Sequence, residues 1–435
     1  MRSKYLAGAV ATGLAFQVSA AAAQTDFIDD ASANLALRNF YINQDNRSGS
    51  AAPSKTEEWG QGFLLDLRSG FTAGTVGFGV DALGQFGLRL DSGGRTNKAG
   101  RNRNPGTLFP LESDNSATSN FGRVDLTAKA RLAKTELRYG ALRPALPILS
   151  ANDGRLLPQT FRGGQLTSTD VSGLTFNLGQ IDRASGRASS DYEALRIAGG
   201  QERVDQFRFA GGDYALNDNL TLSYYFAELQ DYYRQHFLGT RHSFALGAGK
   251  VSSDLRFFDS NAEGANADGK AGYAARGFDN QGKVDNRAYS ALFSYALGGH
   301  NLGLGYQHLS GDSDFPFVNN GDGSSAYLIT DSQIGKFQRA GERTALARYA
   351  YDFAQVGAPG LKATVTYLSG NDVDAASASN DSEWERDLRL DYSVQTGPLK
   401  NLGLSLRNAS LRSSVAGQRD IDETRVILSY NIALL

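Results

Sequence analysis

Cysteine is absent from the 435 residues, histidine occurs four times, tryptophan twice and methionine once. Without cysteine there is no disulfide framework and no thiolate metal site, so a metal would need histidines or carboxylates. His236, His242, His300 and His308 show neither HxH nor HxxxH spacing, and the acidic glycine run 312–323 lacks the spaced ligands and terminal Glu of a calcium loop. Long apolar runs are missing too: mean hydropathy is −0.36, and no stretch beyond the N-terminus is long and apolar enough for a membrane-spanning helix. The formal net charge of −2 lacks the basic excess of a general nucleic-acid binder. GxSxG is absent, no Ser-His-Asp order stands out, and the glycines of 74–79 precede no helix, so neither an acyl-transfer motif nor a nucleotide loop is present. Nothing implies a cofactor.

What is present begins with a leader. Arg2 and Lys4 precede a small, apolar stretch that ends in Ala21, Ala22 and Ala23, the pattern of a secretory signal peptide over residues 1–23. Its removal takes the net charge from −2 to about −4, leaving residues 24–435 as a single domain without a linker. From there the pattern has period two almost to the end. Val124, Leu126, Ala128, Ala130 and Leu132 alternate with Arg123, Asp125, Thr127, Lys129 and Arg131, as strand residues do across two faces. Counting such runs gives roughly eighteen strands, an all-β chain.

Alternation alone fits a soluble sandwich or a membrane barrel. Three features favour a transmembrane antiparallel β-barrel. Short turns at 132–135, 216–219, 297–301 and 357–360 alternate with long polar connections at 91–120, 260–284, 311–341 and 370–382, the arrangement of short periplasmic turns and long outer loops. Aromatics collect at strand ends, as in Tyr224-Tyr225-Phe226, Tyr232-Tyr233, Phe257-Phe258 and Trp384, where membrane interfaces place them. The last segment presents Val426, Leu428, Tyr430, Ile432 and Leu434 on one face, which suits a barrel closed by pairing its ends. The lipid of an outer membrane is then the expected surroundings, for a monomer or a loose homotrimer.

Residues 143–164, RPALPILSANDGRLLPQTFRGG, break this rhythm with three prolines, each of which removes a backbone donor. Apolar residues (Leu146, Ile148, Leu149, Leu156, Leu157, Phe161) and charged ones (Arg143, Asp153, Arg155, Arg162) are interleaved. Such a segment is expected to fold inward against the barrel wall and narrow the pore, with its arginines facing Asp153 across an eyelet. With the apolar face of each strand outward, the inward cations are Arg38, Arg123, Lys129, Arg131, Arg138, Arg348, Arg389, Arg407 and Arg425. The inward anions are Asp66, Asp81, Asp125, Asp352, Asp387 and Asp391; Arg123 with Asp125 and Arg389 with Asp391 are candidates for pairing within the wall.

The stretches SANDGRLLPQTFRGGQLTS (150–168), GQIDR (179–183), FAGGDY (209–214), AELQDYYRQHFLG (227–239), GDSDFPFVNNGDG (311–323) and EWERD (383–387) resemble the OprD family of substrate-specific porins. The resemblance runs from about residue 26 to the end. It implies an 18-stranded barrel, a constriction of inward-folded loops, and a ladder of lumenal basic residues that leads a substrate carboxylate through the pore. One branch of the family favours basic amino acids and small peptides, the other carboxylates such as aromatic acids. The excess of inward cations points to passive uptake of small carboxylates. Closely spaced guanidinium groups hand such a solute from one fork to the next without trapping it. The rival readings are a porin for basic amino acids, a barrel enzyme using a rim Ser and His, and a non-conducting structural barrel.

Overall fold

The computed structural model describes residues 27–47, 54–92, 105–277, 282–320, 325–375 and 378–435. The expected signal peptide, residues 1–23, lies outside them. Eighteen strands form one closed antiparallel ring. They are β1 (Ser32–Asn46), β2 (Lys55–Arg68), β3 (Val76–Ser92), β4 (Asn120–Leu132), β5 (Thr135–Leu142) and β6 (Thr160–Ser168). Next come β7 (Leu174–Ser185), β8 (Phe207–Asn217), β9 (Leu220–Leu229), β10 (Tyr233–Leu246), β11 (Gly249–Ala262) and β12 (Asp285–Leu297). The ring is completed by β13 (His300–Ser310), β14 (Arg343–Asp352), β15 (Leu361–Ala375), β16 (Ala378–Ser393), β17 (Gly403–Ser413) and β18 (Ile421–Ala433). β18 closes the ring on β1 from Asn34↔Ala433 to Asn46↔Ile421, so no edge is left exposed to lipid.

Tight turns lie at one end. Gly247 and Gly298 hold φ of 59° and 56° in two of them, left-handed values that short hairpins demand. By the usual asymmetry of such barrels this end is periplasmic and the other extracellular. Asp352, expected on the lumen wall, instead caps the turn Phe353–Val356, accepting from Ala354 N at 2.9 Å. The outer wall is apolar as the alternation requires: Val124 is 76 % exposed and Phe78 57 %, surface that is stable only against hydrocarbon.

The inner wall is less uniform than simple alternation implies. Toward the extracellular end, Phe207, Phe209, Tyr225, Phe237 and Phe258 turn inward and are buried. Against them pack Leu146, Ile148 and Leu149, then Leu195 and Ile197, and finally Phe315 and Phe317. Not one segment but several therefore fold into the lumen, because each carries apolar side chains that water would penalise. They fill the side of the barrel bounded by β6–β13; on β14–β18 and β1 smaller clusters seat Phe337 and Leu156 against the wall, and a cavity remains beside them. Phe315 and Phe317 are buried in the β6–β13 cluster, so residues 312–320 of the connection expected as a polar outer loop turn into the lumen. The polar connection expected at 370–382 is mostly strand, since β15 runs to Ala375 and β16 starts at Ala378.

The segment read as strand-free divides at Thr160. Residues 143–159, with all three prolines, form the inward loop, stiffened by the pairs Ala145↔Ser150 and Leu146↔Leu149 around Pro147. From Thr160 onward the chain is wall, with Phe161 opposite both Leu142 and Ala184. The loop lies on β2 because glycines make room. A Cβ at Gly60 would stand 2.6 Å from the Phe109 ring and 2.9 Å from Leu156, and one at Gly62 2.9 Å from the Leu156 carbonyl.

Candidate functional site

Along β14–β18 and β1 runs an open cavity of about 1110 Å³, lined by Arg38, Arg155, Arg348, Arg389, Arg407 and Arg425 among others. The strand period sets their direction: Ser405, Arg407 and Ala409 face the lumen while Leu404 and Leu406 face lipid. Register sets their spacing. Arg389 is directly opposite Arg407, and Arg407 directly opposite Arg425. Three like charges abreast on neighbouring strands are unfavourable for the sheet. Two have an acid: Arg389 Nε is 2.6 Å from Asp391 Oδ2, and Arg425 Nε donates to Glu423 Oε1 at 2.6 Å. Arg407 has only the Ser405 hydroxyl at 3.0 Å, and Arg348 only the Thr366 hydroxyl at 3.4 Å; neither has a carboxylate within 4.0 Å among the described residues. Lys362 lines the same cavity and was not among the candidates. Its parity with Thr364 and Thr366 was the available signal.

The loops above are held by buried carboxylates. Glu385 accepts from the Ser332 hydroxyl (2.9 Å), Ile334 N (2.9 Å) and Gly335 N (2.6 Å). Glu423 accepts from Gln333 Nε2 at 3.1 Å, while Arg425 donates to the Gln333 carbonyl at 2.7 Å. Glu58 takes the Thr107 and Leu108 amides, each at 2.6 Å. Counting inward acids as Asp alone therefore missed the ones that matter most here; Glu383 and Glu385 alternate with Trp384 and Arg386 in the EWERD stretch and were readable as inward by parity. Glu385 is taken up by the loop donors and Glu383 by the Ser413 hydroxyl, whereas Arg348, Arg389 and Arg407 line the open cavity.

The remaining candidates lie elsewhere. Arg38 lines the cavity but grips the inward loop, with 2.7 and 3.0 Å contacts to the two Asp153 oxygens and a 2.7 Å bond to the Arg155 carbonyl. Asp153 is thus taken by the wall and does not oppose the loop arginines. Arg143 ties the loop base to Asp66 at 3.1 Å. Arg123 closes the seam left where β5 ends early, bonding Asp125, Thr160, Ser185 and the Ser189 carbonyl. Lys129 pairs with Asp81 at 2.7 Å and lies, with Arg131, over the Phe71 ring. Arg138 bonds Glu136 and, with Arg143, Asp66 and Asp81, lines a second, charge-compensated cavity of about 500 Å³. Arg162 shares the outward face of β6 with Leu166 and pairs with Asp182 at 3.1 Å; it does not reach the constriction. Phe161 beside it points inward, so alternation across that pair carries the assignment.

At the extracellular base of the loop 311–342, Glu342 is fully buried and accepts from Arg339 N at 3.1 Å. Burial, and next the nearby Glu383 charge, raise its carboxyl well above the usual range. A raised carboxyl contributes stability below its unfolded value and loses it as pH rises through the raised one. Hydrogen-exchange protection of the Arg339 amide, corrected for intrinsic rate, is therefore expected to fall on going from acidic to alkaline pH, and Glu342→Gln to abolish that dependence. A pH-independent protection factor in the parent would contradict it.

A closed barrel with a lipid-facing apolar exterior and a charged, partly plugged lumen is an outer-membrane channel, not an enzyme. The family model for outer membrane porins of the OprD family matches residues 25–434, and the chain belongs to that family. It is 38 % identical over 411 residues to the porin-like protein GalP of Pseudomonas putida, covering 94 % of this chain and 93 % of that one. Porin D of Pseudomonas aeruginosa is 34 % identical over 441 residues, covering 96 % and 94 %. Among solved structures, P. aeruginosa OccK8 (OprE) superposes with a TM-score of 0.86 at 51 % identity, covering 94 % of this chain and all of that one. P. aeruginosa OpdK with vanillate superposes at 0.84 with 36 % identity and the same coverage.

Proposed function

We propose that this porin admits small carboxylate-bearing nutrients, aromatic or other monocarboxylic acids, by passive diffusion along an arginine ladder. The observation that carries this is Arg407, set in register between Arg389 and Arg425 and free of any carboxylate partner among the described residues. An unpaired guanidinium between two others attracts a carboxylate strongly, and equivalent neighbours on either side let the solute leave again. Arg155 and Arg348 extend the row within the cavity. On this reading Arg38, Arg123, Lys129, Arg131, Arg138, Arg143 and Arg162 hold loops and wall and are not rungs. The presence of vanillate, an aromatic carboxylate, in the OpdK structure supports the substrate class. Residues 1–23 act as the export signal, the mature barrel starts at residue 24, and a single chain suffices for conduction.

Purified protein in a planar bilayer with a salt gradient tests the proposal. The parent should lean toward anions and be blocked by benzoate-like acids. Arg155→Ala and Arg407→Ala should each move the reversal potential toward cations, while Arg162→Ala should leave it at the parental value. Block by arginine with cation-leaning current would transfer the protein to the basic amino acid branch.

A further inference from the structure

The lipid-facing side of β16 and β17 carries charge that conduction does not use. Arg386 shares its face with Trp384, Leu388 and Leu390, which are 36, 38 and 40 % exposed, so its guanidinium leaves the barrel outward. It donates to the Ser410 hydroxyl at 3.2 Å and to Asn408 Oδ1 at 3.3 Å. Its cross-strand neighbours are Tyr367 and Ser410, and no carboxylate approaches within 4.0 Å among the described residues. Other outward arginines near the extracellular strand ends differ. Arg162, Arg234, Arg287 and Arg343 are paired with Asp182, Glu228, Asp259 and Asp372 at 2.9 to 3.4 Å. Arg208 is the exception: it too has no carboxylate within 4.0 Å among the described residues, but the amide oxygens of Gln180 and Gln206 hold it and its register partner is Glu228.

A second cation stands diagonally across from Arg386. Arg412 is opposite Trp384, close to its ring, and shares Asp422 with Arg47. Trp384 stacks on Tyr367, ring centroids 6.0 Å apart and 27° from parallel, which places this level at the membrane interface. Because β16 descends from the extracellular end, Arg386 lies two residues below Trp384, toward the bilayer centre. An arginine facing lipid at that depth is unfavourable unless an anion meets it.

We propose that Arg386, with Arg412 beside it and Ser410 and Asn408 as polar flanks, binds the phosphate of an outer-leaflet lipid headgroup. The planar fork matches two phosphate oxygens, and Trp384 with Tyr367 packs against the boundary between headgroup and acyl chains. The site is separated from the pore by the barrel wall, so it anchors the barrel in its membrane without touching the solute path.

The test uses the full barrel in detergent and native mass spectrometry with three probes: bisphosphorylated lipid A, the same lipid dephosphorylated, and inorganic phosphate. The parent should retain the phosphorylated lipid in preference to the dephosphorylated one. Arg386→Gln should weaken that retention roughly tenfold, the loss of one charge-assisted contact, with single-channel conductance unchanged. Arg386→Lys keeps the charge without the fork, is expected to fall between, and serves if the Gln variant does not assemble. Equal retention of both lipids by the parent, or parental retention by the variants, overturns the proposal. Displacement of the lipid by millimolar inorganic phosphate also overturns it, since the site would then be one for free anions.

Discussion

Gly62→Val is expected to unseat the inward loop and raise single-channel conductance several-fold. The wall glycine meets the loop's own backbone: a Cβ at Gly62 would lie 2.9 Å from the Leu156 carbonyl oxygen and 3.2 Å from Leu156 Cδ1. A side-chain tip could swing aside, but a carbonyl moves only with its loop. Valine adds two further methyl groups to that collision, and overpacking of this kind costs about 1–3 kcal/mol. Near the clash the loop is held by the partly exposed Arg38–Asp153 pair, the Arg38 bond to the Arg155 carbonyl and the burial of Leu156 and Leu157; Leu146, Ile148 and Leu149 stay anchored in the core, so the displacement is expected in residues 152–157. Displacement also pulls Arg155 from the cavity, so selectivity should shift together with conductance. An assembled Gly62→Val barrel with parental conductance would mean that residues 143–159 do not set the constriction.

Glu385→Leu should free the tip of the other lumenal loop. The leucine keeps the volume but removes the acceptor of the Ser332 hydroxyl and of the Ile334 and Gly335 amides. Each donor left unsatisfied in a buried setting costs about 1–3 kcal/mol. Arg425 then loses the Gln333 carbonyl as the tip lifts, and the ladder is disturbed at its end. Trypsin cleavage after Lys336, which in the parent is held beside Asp331 at 2.8 Å, is expected to appear together with larger, noisier currents. Glu385→Gln retains an acceptor oxygen and should behave much like the parent. Full protease resistance in Glu385→Leu would show that the clamp holds nothing.

Much of the fold could be read from alternation. Val124 to Leu132 and Val426 to Leu434 face lipid as their period demands, and Arg38, Arg348, Arg389, Arg407 and Arg425 face inward for the same reason. Pairings within a strand, Arg123 with Asp125 and Arg389 with Asp391, were equally legible, because residues two apart on a strand lie on one face. Legibility stopped where the partner came from elsewhere in the chain. Asp153 was assigned to the eyelet although Arg38, 115 positions away, takes it. Arg162 was placed in the loop although the wall resumes at Thr160. The glutamates were overlooked because their role, accepting from amides of the loop between β13 and β14, has no local pattern.

The sequence by itself determined an 18-strand outer-membrane barrel, its inside and outside, and a proline-broken segment that had to turn inward. Those follow from side-chain period and from the cost of exposing apolar groups to water or polar groups to lipid, both of which act locally. Which cations face open lumen was decided only by tertiary structure. Parity puts a guanidinium on the inner wall, but cross-strand register brings Arg389, Arg407 and Arg425 abreast, and the packing of distant loops on one side determines which arginines are spent as anchors and which remain open to a solute.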